Sequence, residues 1–171
     1  MKFYRTLHPR PVAIIGSGDT NKEINFMACS WITPIAEDIS ALGFACDKGH
    51  YTYELIQKYK QFSVNIVEDL DLIWKVGTSS GKEINKAETF NIKFKSGKAL
   101  SVPLIEGALA NLECKVIKDV EIGEVMFYIG EVKHWKAQNF DEYGYKEFWK
   151  VPLHKSGKAF AFPSKKLRFL K

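Results

Sequence analysis

Asn111-Leu112-Glu113-Cys114-Lys115-Val116 alternates apolar and polar side chains, and Val125-Met126-Phe127-Tyr128-Ile129-Gly130-Glu131-Val132 follows with too little chain between them for a helix. A period of two marks a strand with one face in the core and the other wet. The second run is apolar on both faces as far as Gly130, so it needs cover from the core on one side and from a helix or second subunit on the other. Consecutive strands without a helix-length connection pair antiparallel, which disfavours a doubly wound parallel sheet.

Further strands read outward from this pair. Pro11 to Ile15 ends in the turn cluster Gly16-Ser17-Gly18-Asp19, and Phe26 to Ile32, Ser40 to Cys46 and Asn91 to Lys95 follow. The two opening runs belong to strands over Ala108 to Val120 and Glu124 to Ala137. In Phe62-Ser63-Val64-Asn65-Ile66-Val67, strict alternation predicts Phe62, Val64 and Ile66 buried and the rest exposed. Thr52 is the expected N-cap of a helix over Tyr53 to Lys60 that sets Leu55, Ile56 and Tyr59 on one side. Asp69 caps a second helix containing Leu70, Ile73, Trp74 and Val76, a loop runs from Gly77 to Gly81, and a helical turn follows at Lys86 to Thr89. The sum is a mainly β chain with short helices, an antiparallel barrel with helical additions.

At 171 residues, residues 1–171 read as a single domain. Hydrophobic content of 46% and charged content of 26% match an ordinary globular protein. No apolar run approaches the roughly 20 residues that span a bilayer, and Met1-Lys2-Phe3-Tyr4-Arg5 is not followed by an apolar signal core. A cytoplasmic location is expected. Cys29, Cys46 and Cys114 form an odd set with no Cys-x-x-Cys pair, and His8, His50, His134 and His154 lack metal spacing, so no metal site is expected. The net charge of +5 raises nucleic acid as a partner, but the basic residues are scattered among acidic ones. Only residues 165–171 form a basic cluster, expected to dock its Leu and Phe on the body.

Two nucleotide-like motifs fail on inspection. Gly16-Ser17-Gly18-Asp19-Thr20-Asn21 lacks the last glycine of a dinucleotide fingerprint and opens no helix, so a hairpin turn is expected. Gly77-Thr78-Ser79-Ser80-Gly81-Lys82-Glu83 is one residue short of a P-loop and has Glu83 where a magnesium-binding hydroxyl belongs. Asn25-Phe26-Met27-Ala28-Cys29-Ser30-Trp31 is more promising. Its small and hydroxyl side chains let a backbone come close to a flat polar ligand that Trp31 can wall, and Asp47-Lys48-Gly49-His50-Tyr51-Thr52 gathers charge and hydroxyls before a helix, which suits a phosphate. A plain buried strand accounts for Ala28 but leaves Asn25 and Trp31 unexplained.

With these residues in place, the chain resembles the flavin reductase-like family, the flavoredoxin-type FMN-binding split barrels, along nearly its whole length. The landmarks are Arg10-Pro11-Val12-Ala13-Ile14-Ile15, Asn25 to Trp31, Lys48 to Thr52, Phe62 to Ile66, Ser80-Gly81-Lys82 with Lys86, Ile129-Gly130-Glu131-Val132, and Leu153 to Phe160 near the end. The resemblance implies an antiparallel split β-barrel that binds FMN and takes electrons from NADH or NADPH. Asn25, Met27, Ala28, Cys29, Ser30 and Trp31 would border the flavin ring. Asp47, Lys48, His50, Tyr51 and Thr52 would meet the phosphate at the helix start, and Ser80, Gly81 and Lys86 would complete its pocket. Lys82 stands where many relatives carry arginine, which keeps the charge without the bidentate geometry.

Tyr143 and His154 are candidates for the nicotinamide side. No general acid or base is assigned, because hydride transfer to a flavin asks the protein for position and electrostatics. Family members pair as homodimers with flavin near the interface, which fits the doubly apolar strand. A flavoredoxin-type electron carrier without nicotinamide oxidation is the alternative function, and a basic barrel that binds nucleic acid is a more distant one. An electron-acceptor protein is a further expected partner.

Overall fold

The computed structural model of the chain describes residues 2–168. Seven strands form one antiparallel sheet: β2 (Ala13–Asp19), β3 (Glu23–Cys29), β4 (Ile32–Ala36), β5 (Ala41–Asp47), β6 (Gln61–Ile66), β9 (Ala110–Ile122) and β10 (Val125–Ala137). Their order is β3-β2-β6-β9-β10-β5-β4, so the two edge strands are sequence neighbours joined through Ser30 and Trp31. The sheet curls into a barrel whose inner side chains include Ala13, Ile15, Met27, Phe44, Phe62, Val64, Cys114, Met126 and Tyr128. Gly130 allows this closure, because a Cβ there would lie 2.6 Å from the Phe62 ring.

Short elements complete the chain: β1 (Arg10–Pro11), α1 (Tyr51–Tyr59), α2 (Leu70–Thr78), α3 (Lys86–Thr89), β7 (Phe94–Ser96), β8 (Pro103–Ile105), β11 (Phe140–Asp141), β12 (Gly144–Tyr145), β13 (Leu153–Ser156) and β14 (Ala159–Ala161). Strand β2 is buried on both faces, with Ala13 and Ile15 in the barrel while Ile14 packs with Phe26, Ile73 and Val76 under α2. That double burial explains the unbroken apolar run at its start. Helix α1 seals the barrel with Leu55 and Ile56, both essentially inaccessible; each is worth about 2 kcal/mol of hydrophobic stabilisation. No described helix is long and apolar enough to cross a membrane.

Several boundaries differ from the sequence reading. The strand from Ala13 runs through Gly16-Ser17-Gly18 to Asp19, and the turn comes later at Thr20 to Lys22, held by Lys22 N–H to the Asp19 carbonyl. Gly18 carries φ +101° as a member of the strand, so its glycine serves the strand's end and not the turn that the Gly-Ser-Gly-Asp cluster suggests. Helix α1 begins at Tyr51, so His50 takes the N-cap position and Thr52 lies inside the first turn, fully buried. Gly77 and Thr78 close α2 instead of opening the loop.

The polar members of two alternating runs are also buried. Ser63 donates to the Pro103 carbonyl at 2.5 Å, Asn65 donates to the Ile14 carbonyl at 3.0 Å, and the Glu113 carboxylate accepts from the N–H groups of Lys98, Ala99 and Leu100. Glu113 satisfies a loop backbone, Ser63 reaches strand β8, and Asn65 ties β6 to neighbouring β2. On β10, Met126, Tyr128 and Gly130 are buried but Val125, Phe127 and Ile129 are only half covered within one chain. Leu167 stays 61% exposed and does not dock, while Phe169 lies outside the described residues.

Candidate functional site

Strand β3 delivers its side chains to two neighbouring cavities. The first, of about 250 Å³, is polar and is lined by Asn25 and Met27, by Gly49 to Thr52 at the start of α1, by Val76 to Gly81, and by Lys86. The second, of about 230 Å³, is mainly apolar; Ala28, Cys29 and Ser30 meet Val12, Trp74, His154 and Phe160 there. Gly77 and Thr78 line both.

The polar cavity is built by interlocking hydrogen bonds. Asn25 Nδ2 donates to Thr52 Oγ1 at 3.0 Å, tying the strand to the first turn of α1. Gly81 sits directly on that amide, since a Cβ there would fall 2.3 Å from Asn25 Oδ1. The first turn of α1 leaves backbone N–H groups without helical partners, at the positive end of the helix dipole. Lys86 is 5% exposed, and its ammonium donates to the Phe26 carbonyl at 2.9 Å and the Val76 carbonyl at 2.7 Å. An ammonium has three donors, so one is left over. Burial pushes its pKa down to about 8. None of the described residues lining the cavity is a carboxylate, and Thr52, Thr78, Ser79 and Ser80 are among them. This donor set fits a phosphate.

In the apolar cavity the buried Cys29 thiol is pushed up to about 12, so it stays protonated and packs as a small apolar group. His154 arrives from β13, which pairs with β1 so that Arg10 lies opposite it. Its Nδ1 is 3.2 Å from Ser30 Oγ and its Nε2 is 3.2 Å from the Gly157 carbonyl. Burial lowers its pKa from the usual imidazole range, helped by His8 and Arg10 nearby. The Phe160 ring lies 5.2 Å from the His154 ring, tilted by 44°. A small apolar cavity with Ser30, Thr78 and one imidazole at its wall suits a flat aromatic ring with polar edges.

Other expected site residues lie elsewhere. Trp31 is 42% exposed and walls a third, larger apolar cavity of about 610 Å³ with Arg10, Ile32, Ile122, Val125 and Phe127. The Arg10 guanidinium lies 5.5 Å from the Trp31 ring, and its buried Nε has no hydrogen-bond partner. Asp47 and Lys48 line neither of the first two cavities: the Asp47 carboxylate accepts from Gly49 N–H at 2.8 Å and Lys48 pairs with Glu121 at 2.8 Å. Tyr143 sits at the tip of the β11–β12 hairpin, 76% exposed, and lines none of the three cavities. His50 and Tyr51 do line the polar one, although the Tyr51 hydroxyl donates to Glu23 at 2.8 Å.

Gly77, Thr78, Trp74 and Val12 are wall residues that the sequence reading did not assign to the site. Trp74 and Val12 showed only the apolar helix pattern and the strand run, which mark a core just as well, and Gly77 and Thr78 sat in the motif set aside as a failed P-loop. Among the described residues no cluster of His, Cys, Asp or Glu could hold a metal ion.

The sequence profile of the flavin reductase like domain matches residues 4–148. A protein of Archaeoglobus fulgidus whose own function is uncharacterized is 35% identical over 130 residues, 75% of this chain and 72% of its own length. An FMN-binding protein from Thermus thermophilus, solved with 1-cyclohex-2-enone bound, superposes with a TM-score of 0.90 at 22% identity, over 99% of this chain and 94% of that one. A flavoredoxin from Methanosarcina acetivorans gives a TM-score of 0.84 at 23% identity, over 94% and 88%. A Shewanella frigidimarina protein described by its split barrel domain gives 0.84 at 13% identity, over 95% and 86%. The opened barrel described above is that split-barrel fold.

Proposed function

Because the chain belongs to the flavin reductase-like family, we propose that it binds FMN across the two joined cavities and moves electrons from NADH or NADPH through it to a flavin, protein or small-molecule acceptor. The observation that carries this reading is the junction itself: a polar cavity made for an anion shares Gly77 and Thr78 with an apolar cavity made for a flat ring. The α1 start, Thr52, Ser80 and Lys86 would hold the phosphate. Ala28, Cys29, Ser30 and Phe160 would border the ring, with Asn25 and Met27 between the two.

Bound there, FMN supplies the centre that accepts hydride and passes electrons on. The chain contributes position and exclusion of water. Asn25 keeps the α1 start in register with β3 through Thr52. Val12, Ile73 and Phe160 keep the ring cavity dry, which strengthens any polar contact made inside it. None of the described residues lining either cavity is a carboxylate, so these residues put no negative charge against an electron-rich ligand.

The test is direct. Purified protein, or protein given FMN, should be yellow and should bleach with NADH or NADPH in the absence of air. Colourless protein that also fails to take up added FMN would sink the assignment. A flavoredoxin-type carrier, its flavin reduced by another protein, is the second reading. In that case dithionite bleaches the flavin and nicotinamides do not. A homodimer is part of the proposal, because Ile122, 65% exposed, and half-covered Val125 and Phe127 need a partner surface. Sedimentation that finds only monomer at micromolar protein would remove it.

A further inference from the structure

Ser30 alone among the described residues lines both the ring cavity and the larger cavity under Trp31. Its hydroxyl has one hydrogen to give. The Gly157 carbonyl beside His154 Nε2 can only accept, so in the neutral ring Nε2 carries the hydrogen and Nδ1 carries the lone pair. Ser30 Oγ, 3.2 Å from Nδ1, therefore donates to it and turns only lone pairs toward the cavities.

A proton added to His154 reverses that bond. Nδ1–H then donates to Ser30 Oγ, and the hydroxyl hydrogen swings free toward the cavity. We propose that His154 and Ser30 form a protonation-controlled selector at the cavity wall: Ser30 offers an acceptor to a bound ring when His154 is neutral and a donor when it is charged. The proposal rests on the flavin reading of the cavity. An oxidised flavin ring carries mostly acceptor atoms along its polar edges, so the charged state is the one that holds it more tightly.

The surroundings of His154 leave this pair as the mobile element. From β1 and the segment before it come Arg10 and His8, whose ring lies 5.4 Å away. His8 is committed at both nitrogens, its Nδ1 to the Lys155 carbonyl and its Nε2 to Arg10 Nη2 at 2.8 Å. From β3 comes Cys29, whose thiol burial keeps protonated. From its own hairpin come the Gly157 carbonyl and the Phe160 ring, while Lys158 lies over Trp74 of α2 at 5.7 Å. Burial, His8 and Arg10 all favour the neutral ring, so the selector switches below the usual imidazole range.

The experiment measures FMN affinity of wild type and Ser30→Ala by flavin fluorescence at pH 8 and at a pH below the His154 titration, located by nitrogen NMR of its ring. Titration of the FMN phosphate and of Lys86 is common to both proteins and cancels in their ratio. The loss caused by Ser30→Ala should be about fivefold larger below that titration than at pH 8, the worth of one net hydrogen bond. In a His154→Asn background, where the partner no longer titrates, the loss should be equal at both pH values. A pH-independent loss in the wild-type background overturns the selector. Absence of FMN binding by wild type at either pH overturns the flavin reading instead. If Ser30→Ala does not fold, nitrogen NMR of the His154 ring decides: above its titration Nε2 should carry the hydrogen, and the opposite tautomer overturns the proposal.

Discussion

The polar cavity at the start of α1 and the apolar cavity beneath the β13–β14 hairpin are neighbours built by different means. In the first, the strand, helix and loop residues Asn25, Thr52 and Gly81 lock one another, and the Lys86 ammonium is buried on two carbonyls. In the second, the walls are apolar side chains closed by a small sheet whose His154 and Phe160 remain half-buried. The first is rigid because Asn25 and Thr52 hold each other and Lys86 is fixed on two carbonyls, leaving its third donor and the α1 start for a ligand. The second depends on a short hairpin docking, so it tolerates change and can respond to protonation.

The sharpest way to break the contrast is Gly81→Ala. The added Cβ would meet the Asn25 side chain at 2.3 Å, in a place where Asn25 is held by Thr52. Relief requires moving the loop off β3 or losing the Asn25–Thr52 bond. Overpacking of this kind costs about 1–3 kcal/mol, and FMN affinity should fall by about a hundredfold as the phosphate pocket deforms. Calorimetry and flavin fluorescence quenching check the two effects.

Next in size is Lys86→Met, which should weaken FMN by about thirtyfold, as expected for loss of a charge-assisted bond, and leave riboflavin unchanged. The same lysine sets a pH signature. Its pKa is lowered to about 8 in the folded chain, against about 10.4 unfolded. Between those values the unfolded chain binds more protons, so stability of the flavin-free protein rises with pH there and is lost as pH falls through about 8. Urea unfolding at pH 7.5 and 10 should show this rise in wild type and not in Lys86→Met. A phosphate favours the charged ammonium, so FMN affinity should decline as pH passes above 8.

The contrast also explains what the sequence could reveal. Thr52, Ser80, Gly81 and Lys86 are polar or small residues at a helix start and a loop, where a core has little use for them, so their chemistry was visible locally. His154 and Phe160 acquire meaning only because β13 pairs with β1, with Arg10 opposite His154, a contact 144 residues apart in the chain. No periodicity encodes that. Ser63, Asn65 and Glu113 misled for a related reason, since their alternation is real but Asn65 bonds the Ile14 carbonyl of neighbouring β2, Ser63 bonds Pro103 of β8, and Glu113 accepts from the loop N–H groups of Lys98 to Leu100. The β9–β10 pairing was legible because it needs only neighbouring strands and a tight connection.

Phe160→Ala probes the apolar side. Removing a half-buried ring that packs beside His154 should cost about 1 kcal/mol, and should weaken FMN and riboflavin alike by about fivefold. Equal loss for the two ligands separates ring contacts from phosphate contacts, in contrast to Lys86→Met. A loss confined to FMN would show that the hairpin acts on the phosphate end and would dissolve the division between the cavities.

The smallest effect is expected where the polar side meets solvent. Glu23 on β3 accepts from the hydroxyls of Tyr51 and Tyr59, both at 2.8 Å, and from Lys58, so one carboxylate grips both ends of α1. Those donors, Lys58 foremost and then Tyr59 and Tyr51, hold its pKa down at about 2. A depressed carboxylate contributes stability that is whole above the unfolded value near 4.3 and lost as pH falls toward 2. Because the group is about one-third exposed, solvent screening keeps the contribution to about 0.5–1 kcal/mol. Glu23→Gln should therefore flatten the acid limb of the thermal unfolding curve between pH 4.5 and 2.5 by a few degrees while leaving riboflavin binding alone. If it instead weakens FMN as strongly as Lys86→Met, the orientation of α1 is set from its solvent side, and the rigidity assigned to Asn25 and Thr52 belongs to Glu23.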